Sequence, residues 1–425
     1  MLFSTLTLAA ALAGSATASP LLLRRQGPGT DVPATPSNNG TAVGSSYLNA
    51  TVESVPIGVT PGNWSQLTNA TEPYPNGRLF IGNPTGNTTN VTLAWKGQPA
   101  GGLLETKPDY APRSSFDRQS LNLGLLQEMI ELDLFYYLLA NFTSEDWQAA
   151  GLTEDDRTLT QHMANQEIGH ATAITNMLGV DVAPKQCVYQ YPFETLKQGI
   201  LFAQLVTRFG EAGTYGFLGQ MDSRPSSQII LQAITTEARQ QMVFRQFQGL
   251  PAMPEWFETG ISQAYQWTLL SQYIRSCPTN NPRIEFTRFP LLDVTNQPYA
   301  LDGTPGLNSN YTLTEGAGRR VDLYWEPLNK TVGPDGLYVT ESVAGEPKFL
   351  AFIDQLNVTY APLEGVNLTS RVAHAIVPNG TVFPPQPVVV NTAFVAVVDE
   401  DIFLTPYNIS LINNHTIAVG MYQAS

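Results

Sequence analysis

Between Leu121 and Phe247 the chain sets single acidic residues into otherwise apolar helical seams. Residues three and four apart share a helix face. On the first such face Leu121, Leu125, Glu128, Leu132, Phe135 and Leu139 line up, and Glu128 is its polar member. A second seam runs Met163, Glu167, His170, Ile174, Met177, with the Glu and the His one turn apart. A third carries Glu211, followed by Tyr215 and Leu218, and a fourth reads Ile230, Ala233, Glu237, Gln240, Phe244. A carboxylate pointing into a core is costly unless it is paired, protonated or bound to a cation. Carboxylates converging from separate helices therefore imply a shared cation or shared protons.

The ligand pattern of di-metal bundles is one Glu from each of two helices and Glu-x-x-His from each of the other two. This chain offers Glu128, Glu167 with His170, Glu211, and Glu237 with Gln240, so Gln240 stands where a second His would be. The segment resembles the ferritin-like domain of plant desiccation-related proteins and of secreted fungal stress-response or late-sexual-development proteins. The resemblance is carried by LLQEMIELDLFYY at 125–137, Asn165-Gln166-Glu167-Ile168-Gly169-His170, Glu211 to Tyr215, and Thr236-Glu237-Ala238-Arg239. It spans residues 118–277, with a weaker match in the C-terminal third. It implies iron or manganese, as a di-metal centre, held by Glu128, Glu167, His170, Glu211, Glu237 and the Gln240 carbonyl. Oxygen-rich donor sets suit these metals. The implied chemistry is that of a ferroxidase, catalase or peroxidase, with Tyr215 as a hydrogen-bond partner or radical sink. The competing reading of the same residues is a metal-free polar network, in which the carboxylates pair with Arg208, Arg239, His170 and Gln240.

Those side chains need a bundle to position them. Ser120 is the expected cap of the first helix, with Asn141 and Thr143 at its end. Thr153 with Asp156 reads as a capping box opening the second helix, and Gly179 closes it. Asp222 to Pro225 is a turn into the fourth helix, and Gly249-Leu250-Pro251 stops that helix. Residues 254–276 read as a fifth, aromatic helix. Gly210, Gly213, Gly216 and Gly219 on the third helix each cost about 1 kcal/mol of helix propensity relative to Ala. Close packing against a neighbour accounts for them; the alternative is access for a small oxidant beside Glu211.

The chain has 425 residues, enough for several domains. Charged residues make up 14% and the formal charge is −14, which excludes the basic face that nucleic acid requires. Residues 1–18 read as a signal peptide ending in Ala16-Thr17-Ala18, and residues 19–25 as a propeptide closed by Arg24-Arg25. No other apolar run is long enough for a transmembrane anchor. A secreted, extracellular or cell-wall location is therefore expected. Residues 26–117 are rich in Pro, Gly, Asn, Ser and Thr and read as a glycosylated arm, partly disordered, with β-like runs at 47–55, 78–81 and 90–95.

Asn-x-Ser/Thr sequons stand at Asn39, Asn49, Asn63, Asn69, Asn87, Asn90, Asn141, Asn310, Asn329, Asn357, Asn367, Asn379, Asn408 and Asn414. Between residues 91 and 309 there is only Asn141, as a compact bundle would prefer. Cys187 and Cys277 are the two cysteines, and an oxidising compartment makes them a disulfide.

After Cys277 the pattern turns to short β-branched and aromatic runs at 283–289, 320–325, 349–353, 372–376, 388–398 and 416–422. The expected fold is α+β: a ferritin-like bundle over 118–277, then an all-β sandwich over 278–425. Tyr324, Trp325 and Tyr407 raise a carbohydrate-binding alternative, with cell-wall polysaccharide as the partner. His162 reads as exposed or structural, while His374 and His415 have no carboxylate or Cys partner at ligand spacing. The chain has no Gly-x-Ser-x-Gly elbow and no evident phosphate loop.

Overall fold

The computed structural model describes residues 109–298, 305, 317–378 and 391–424. The signal-like segment, the dibasic pair, the three β-like runs of the arm and the sequons at Asn39, Asn49, Asn63, Asn69, Asn87, Asn90, Asn310 and Asn379 lie outside the described residues.

Four long helices carry the acidic seams. The first, α1 (Ser115–Asn141), begins earlier than expected: Ser114, not Ser120, caps it by accepting from the Asp117 N–H. Asp117 favours this start because its carboxylate also accepts from the backbone of Arg113, Asp222 and Ser223, tying the helix to a distant turn. Ser120 is buried inside the helix and accepts from Gln263 instead. A short helix α2 (Ser144–Ala149) and the long α3 (Glu154–Leu178) both open on reciprocal capping boxes, Thr143 with Asp146 and Thr153 with Asp156. Gly179 ends α3 at φ +94°, a backbone region that suits glycine.

After β1 (Val188–Tyr189), Thr195 and Gln198 cap α4 (Leu196–Leu218), and Pro225 sits in the first turn of α5 (Arg224–Phe247). The fifth helix is shorter than expected: α6 spans Gln263–Ser271 and is capped by Ser262. Residues 254–262 do not continue it because Glu255, Glu258 and Thr259 turn inward onto the buried Arg208 guanidinium. The chain then forms β2 (Ile274–Ser276), which pairs with β1, and the Cys187–Cys277 disulfide closes beside that pair. Among the described residues no helix is long and apolar enough to cross a membrane.

In the bundle, α1 packs on α3 and α4 packs on α5, with α6 against α4. The α4 glycines are packing sites. A Cβ on Gly216 would strike the Ile261 backbone carbonyl, and one on Gly213 would strike the Gln266 side chain. Gly219 faces open space.

The C-terminal region is a β-sandwich. One sheet orders β3 (Leu292–Val294), β4 (Arg320–Trp325), β10 (Val372–Ile376) and β9 (Glu364–Asn367). The other orders β12 (Thr416–Gln423), β11 (Thr392–Val398), β7 (Phe349–Asp354) and β8 (Asn357–Pro362), all antiparallel. A small hairpin pairs β5 (Thr331–Val332) with β6 (Tyr338–Val339). The expected strand at 283–289 does not form; the Arg288 side chain is buried there, bonding Ser271, and among the described residues no ladder partner lies alongside.

Side chains alternate across a strand, and in β11 both faces are dry. Ala393, Val395 and Val397 enter the sandwich core, while Phe394, Ala396 and Val398 join the core of the helical bundle. The molecule is thus three layers, helices on sheet on sheet, with the β7–β8–β11–β12 sheet in the middle.

Candidate metal centre

Three helices bring one acidic cluster together. Glu128 of α1, Glu167 and His170 of α3 and Glu237 of α5 each offer a ligand atom, and these atoms lie within 4.8 Å of one another. His170 Nδ1 is 3.2 Å from Glu128 Oε2, 3.2 Å from Glu167 Oε2 and 3.6 Å from Glu237 Oε1. Glu167 is fully buried, and the His170 side chain retains only 11% exposure.

The other ring nitrogen is committed. His170 Nε2 lies 3.0 Å from Thr236 Oγ1, and that hydroxyl donates its own proton to the Ala233 carbonyl. A hydroxyl has one proton, so Thr236 accepts from the ring. Nε2 therefore carries a hydrogen, and Nδ1 faces the three carboxylates. Nδ1 would be the ring atom offered to a cation.

Burial pushes the carboxyls of Glu128 and Glu237 well above their usual range, and the neighbouring acids push further. Glu167 differs. Burial would raise it too, but the His170 ring and hydrogen bonds from its neighbours outweigh that and hold it low. Burial would lower His170, yet Glu167 and then Glu237 lift it to about 9. The metal-free site thus pairs the His170 ring with the Glu167 carboxylate, beside acids whose charged forms burial disfavours. A divalent cation would replace protons there: carboxylate oxygens with one imidazole suit iron or manganese. Buried oxygens without donors at Glu131 Oε2 and Gln240 Oε1 leave acceptor capacity beside the cluster. The residues present fit such a metal.

A family model described as a ferritin-like domain matches residues 116–250, the stretch from α1 to the end of α5. Protein rds1 of Schizosaccharomyces pombe (strain 972 / ATCC 24843) is 41% identical over 354 residues, covering 79% of this chain and 87% of that protein. The chain belongs to the rds1 family. The similarity to rds1 extends well beyond the 116–250 segment, so the family shares more than its helical region.

Not every expected site residue joins the cluster. Glu211 of α4 stands outside it, with Glu258, Arg208 and Glu255 as its charged neighbours. Burial, followed by the Glu258 charge, raises its carboxyl well above the usual range. Arg208 explains the diversion: it draws Glu255 and Glu258 into the bundle, bonding both, and also reaches Thr259 and the Thr392 carbonyl of β11. Gln240 approaches with its amide nitrogen, which donates to Glu167 Oε1 and, at 3.2 Å, to Gln166 Oε1. It holds the Glu167 carboxylate in place rather than offering its carbonyl.

Tyr215 is half-buried, and burial, then Glu211, Glu258 and Glu237, raises its phenol. Its hydroxyl therefore stays neutral, with acids of both the Glu211 group and the cluster as charged neighbours. Arg239 is exposed, so it is no partner for the buried acids.

His162 is exposed, as expected. His374 and His415 do have acidic partners, supplied by strand pairing and loop packing rather than by spacing: Glu364 at 3.3 Å and Asp399 at 2.9 Å. Trp325 is buried in the sandwich core and Tyr324 lies under the Arg371 guanidinium, so only Tyr407 of the three aromatics is exposed. Sequence reasoning named Thr236 but missed its role in setting the His170 tautomer, and it passed over Glu131, a buried acid just outside the four-residue group. Glu131 carried a signal, for it lies one turn after Glu128 on the same helix.

Proposed function

We propose that this protein is a secreted, glycosylated ferritin-like metalloprotein whose bundle binds iron or manganese through Glu128, Glu167, His170 and Glu237. The single observation that carries this is the convergence of three buried carboxylates and one imidazole, from three helices, within 4.8 Å. Bringing such ions together in a dry core costs several kcal/mol each unless a cation or protons compensate. The chain's own residues prepare the site. Thr236 accepts from Nε2 and leaves Nδ1 free for the metal, and Gln240 orients Glu167. A redox-active metal at this position supplies one-electron chemistry with oxygen or peroxide.

The setting proposed is stress or sexual development outside the cell, following the resemblance of the 118–277 segment. The signal-like residues 1–18 and the disulfide support export. Of the described sequons, Asn141, Asn329, Asn357, Asn367 and Asn414 are exposed and open to glycans, while Asn408 is half-buried.

The test is metal analysis of protein purified from its own secretory host, beside the Glu167→Ala/His170→Ala double variant. The expected result is iron or manganese in the native chain and none in the variant. Equal metal content in the two would refute the reading and leave a protonated polar network as the role of these residues.

A further inference from the structure

A buried acid beside the cluster remains without a role. Glu131 follows Glu128 by three residues on α1, so both point from one helix face. Its side chain is 0% exposed. Oε1 accepts from Gln127 Nε2 at 2.7 Å, and Gln127 is itself anchored by donating to the Val206 carbonyl of α4 at 3.1 Å. Oε2 is buried and meets no donor. The Glu131 carboxylate is not among the groups whose ligand atoms lie within 4.8 Å of one another, but it stands one helical turn from Glu128, which is.

The opposing helix makes room for it. A Cβ on Gly210 of α4 would stand 2.5 Å from Gln127 Nε2 and 2.7 Å from Glu131 Oε1. Real Cβ atoms do not approach that closely, so any residue but glycine at 210 would displace this carboxylate. Glycine here costs α4 about 1 kcal/mol of helix propensity. That loss secures the position of an acid with one oxygen still uncommitted.

We infer that Glu131 is the additional carboxylate of the metal centre, supplying a second divalent-cation position on the α4 side that Glu211 does not serve. Glu211 stands apart, with Glu258, Arg208 and Glu255 as its charged neighbours, and its place is taken by an acid from α1. The inference rests on metal binding at Glu128, Glu167, His170 and Glu237, and adds the origin of the second position.

The experiment titrates metal-free full chain with Mn²⁺, counts bound ions by equilibrium dialysis and records their paramagnetic resonance. The native chain should bind two ions with the spectrum of a spin-coupled pair. Glu131→Gln should bind one, with the spectrum of an isolated ion, and Glu211→Gln should still bind two. Gly210→Ala should match Glu131→Gln, because its Cβ pushes the carboxylate away; it carries the test should Glu131→Gln fail to fold. Two ions retained by Glu131→Gln, or two lost to one by Glu211→Gln, would overturn the assignment. One ion in the native chain would overturn it while leaving the metal centre intact. No ion in the native chain would overturn both.

Discussion

Replacing Arg208 by methionine should destabilise the protein in a pH-dependent way. The guanidinium is fully buried and binds the carboxylates of Glu255 and Glu258, the Thr259 hydroxyl and the Thr392 carbonyl. Glu255 keeps only 6% of its side-chain exposure, whereas Glu258 keeps 32% and is partly screened by water. The loss is therefore dominated by Glu255. Removing one partner of a buried ion pair costs about 3–5 kcal/mol.

The pH dependence follows from Glu255. Burial raises its carboxyl, Arg208 opposes that, and the balance stands at about 7. A carboxyl raised in the folded state contributes stability that is fully present below its unfolded value, near 4.5, and is lost as pH rises through 7. The Arg208→Met substitution would remove the opposing charge and move that carboxyl higher still. Above pH 7 the variant should then lose about 1.4 kcal/mol per pH unit that the native chain does not lose. At pH 5 the acid is neutral in both proteins, so the difference should shrink to the hydrogen bonds, about 1–2 kcal/mol. Urea denaturation of the metal-free proteins at pH 5, 7 and 8 measures this. A difference that is constant over the series, or under about 1 kcal/mol at pH 8, would refute the electrostatic account of Arg208.

Other perturbations probe the remaining supports. Gly216→Ala should cost about 1–3 kcal/mol or more, since its methyl meets a backbone carbonyl that cannot rotate away, whereas Gly219→Ala should be neutral or slightly stabilising; thermal melts of the two distinguish them. Cys187→Ala/Cys277→Ala should lower stability by about 2–5 kcal/mol, read by chemical denaturation, and an unchanged midpoint would count against a structural disulfide. Thr236→Val removes the acceptor for His170 Nε2 and should weaken Mn²⁺ binding about 10- to 100-fold while barely moving the metal-free melting temperature.

The helical core of the site was legible because its signal is local. A Glu and a His three apart on an apolar seam must share a face, and Glu128, Glu167, His170 and Glu237 meet as their seams require. Capping boxes were equally legible at Thr153, where the cap and its partner are three residues apart. What escaped depended on contacts distant in sequence. Nothing near Glu211 announces that Glu255 and Glu258, more than forty residues later, will enter the bundle on Arg208 and become its charged neighbours. The shortened fifth helix is the same event seen from the other side. Ser120 lost its capping role to Ser114 because Asp117 finds its partners at 222 and 223. In the β region the strong strands were readable from β-branched runs, but β9 was not: its residues are exposed and Glu364-Gly365-Val366-Asn367 lacks the apolar alternation that marks a strand.

Strand β11 of the middle sheet has no wetted side. Along β11, a residue of either parity is enclosed, by helices if even-numbered and by the opposing sheet if odd. A charged replacement anywhere from Thr392 to Val398 would therefore be trapped, where an ordinary sandwich strand tolerates one at every second position. Cutting the chain between its helices and its strands would uncover a greasy slab on each fragment. The two halves are best understood as a single cooperative body, in which the fate of the acidic pocket is bound to strands that contribute no atom to it.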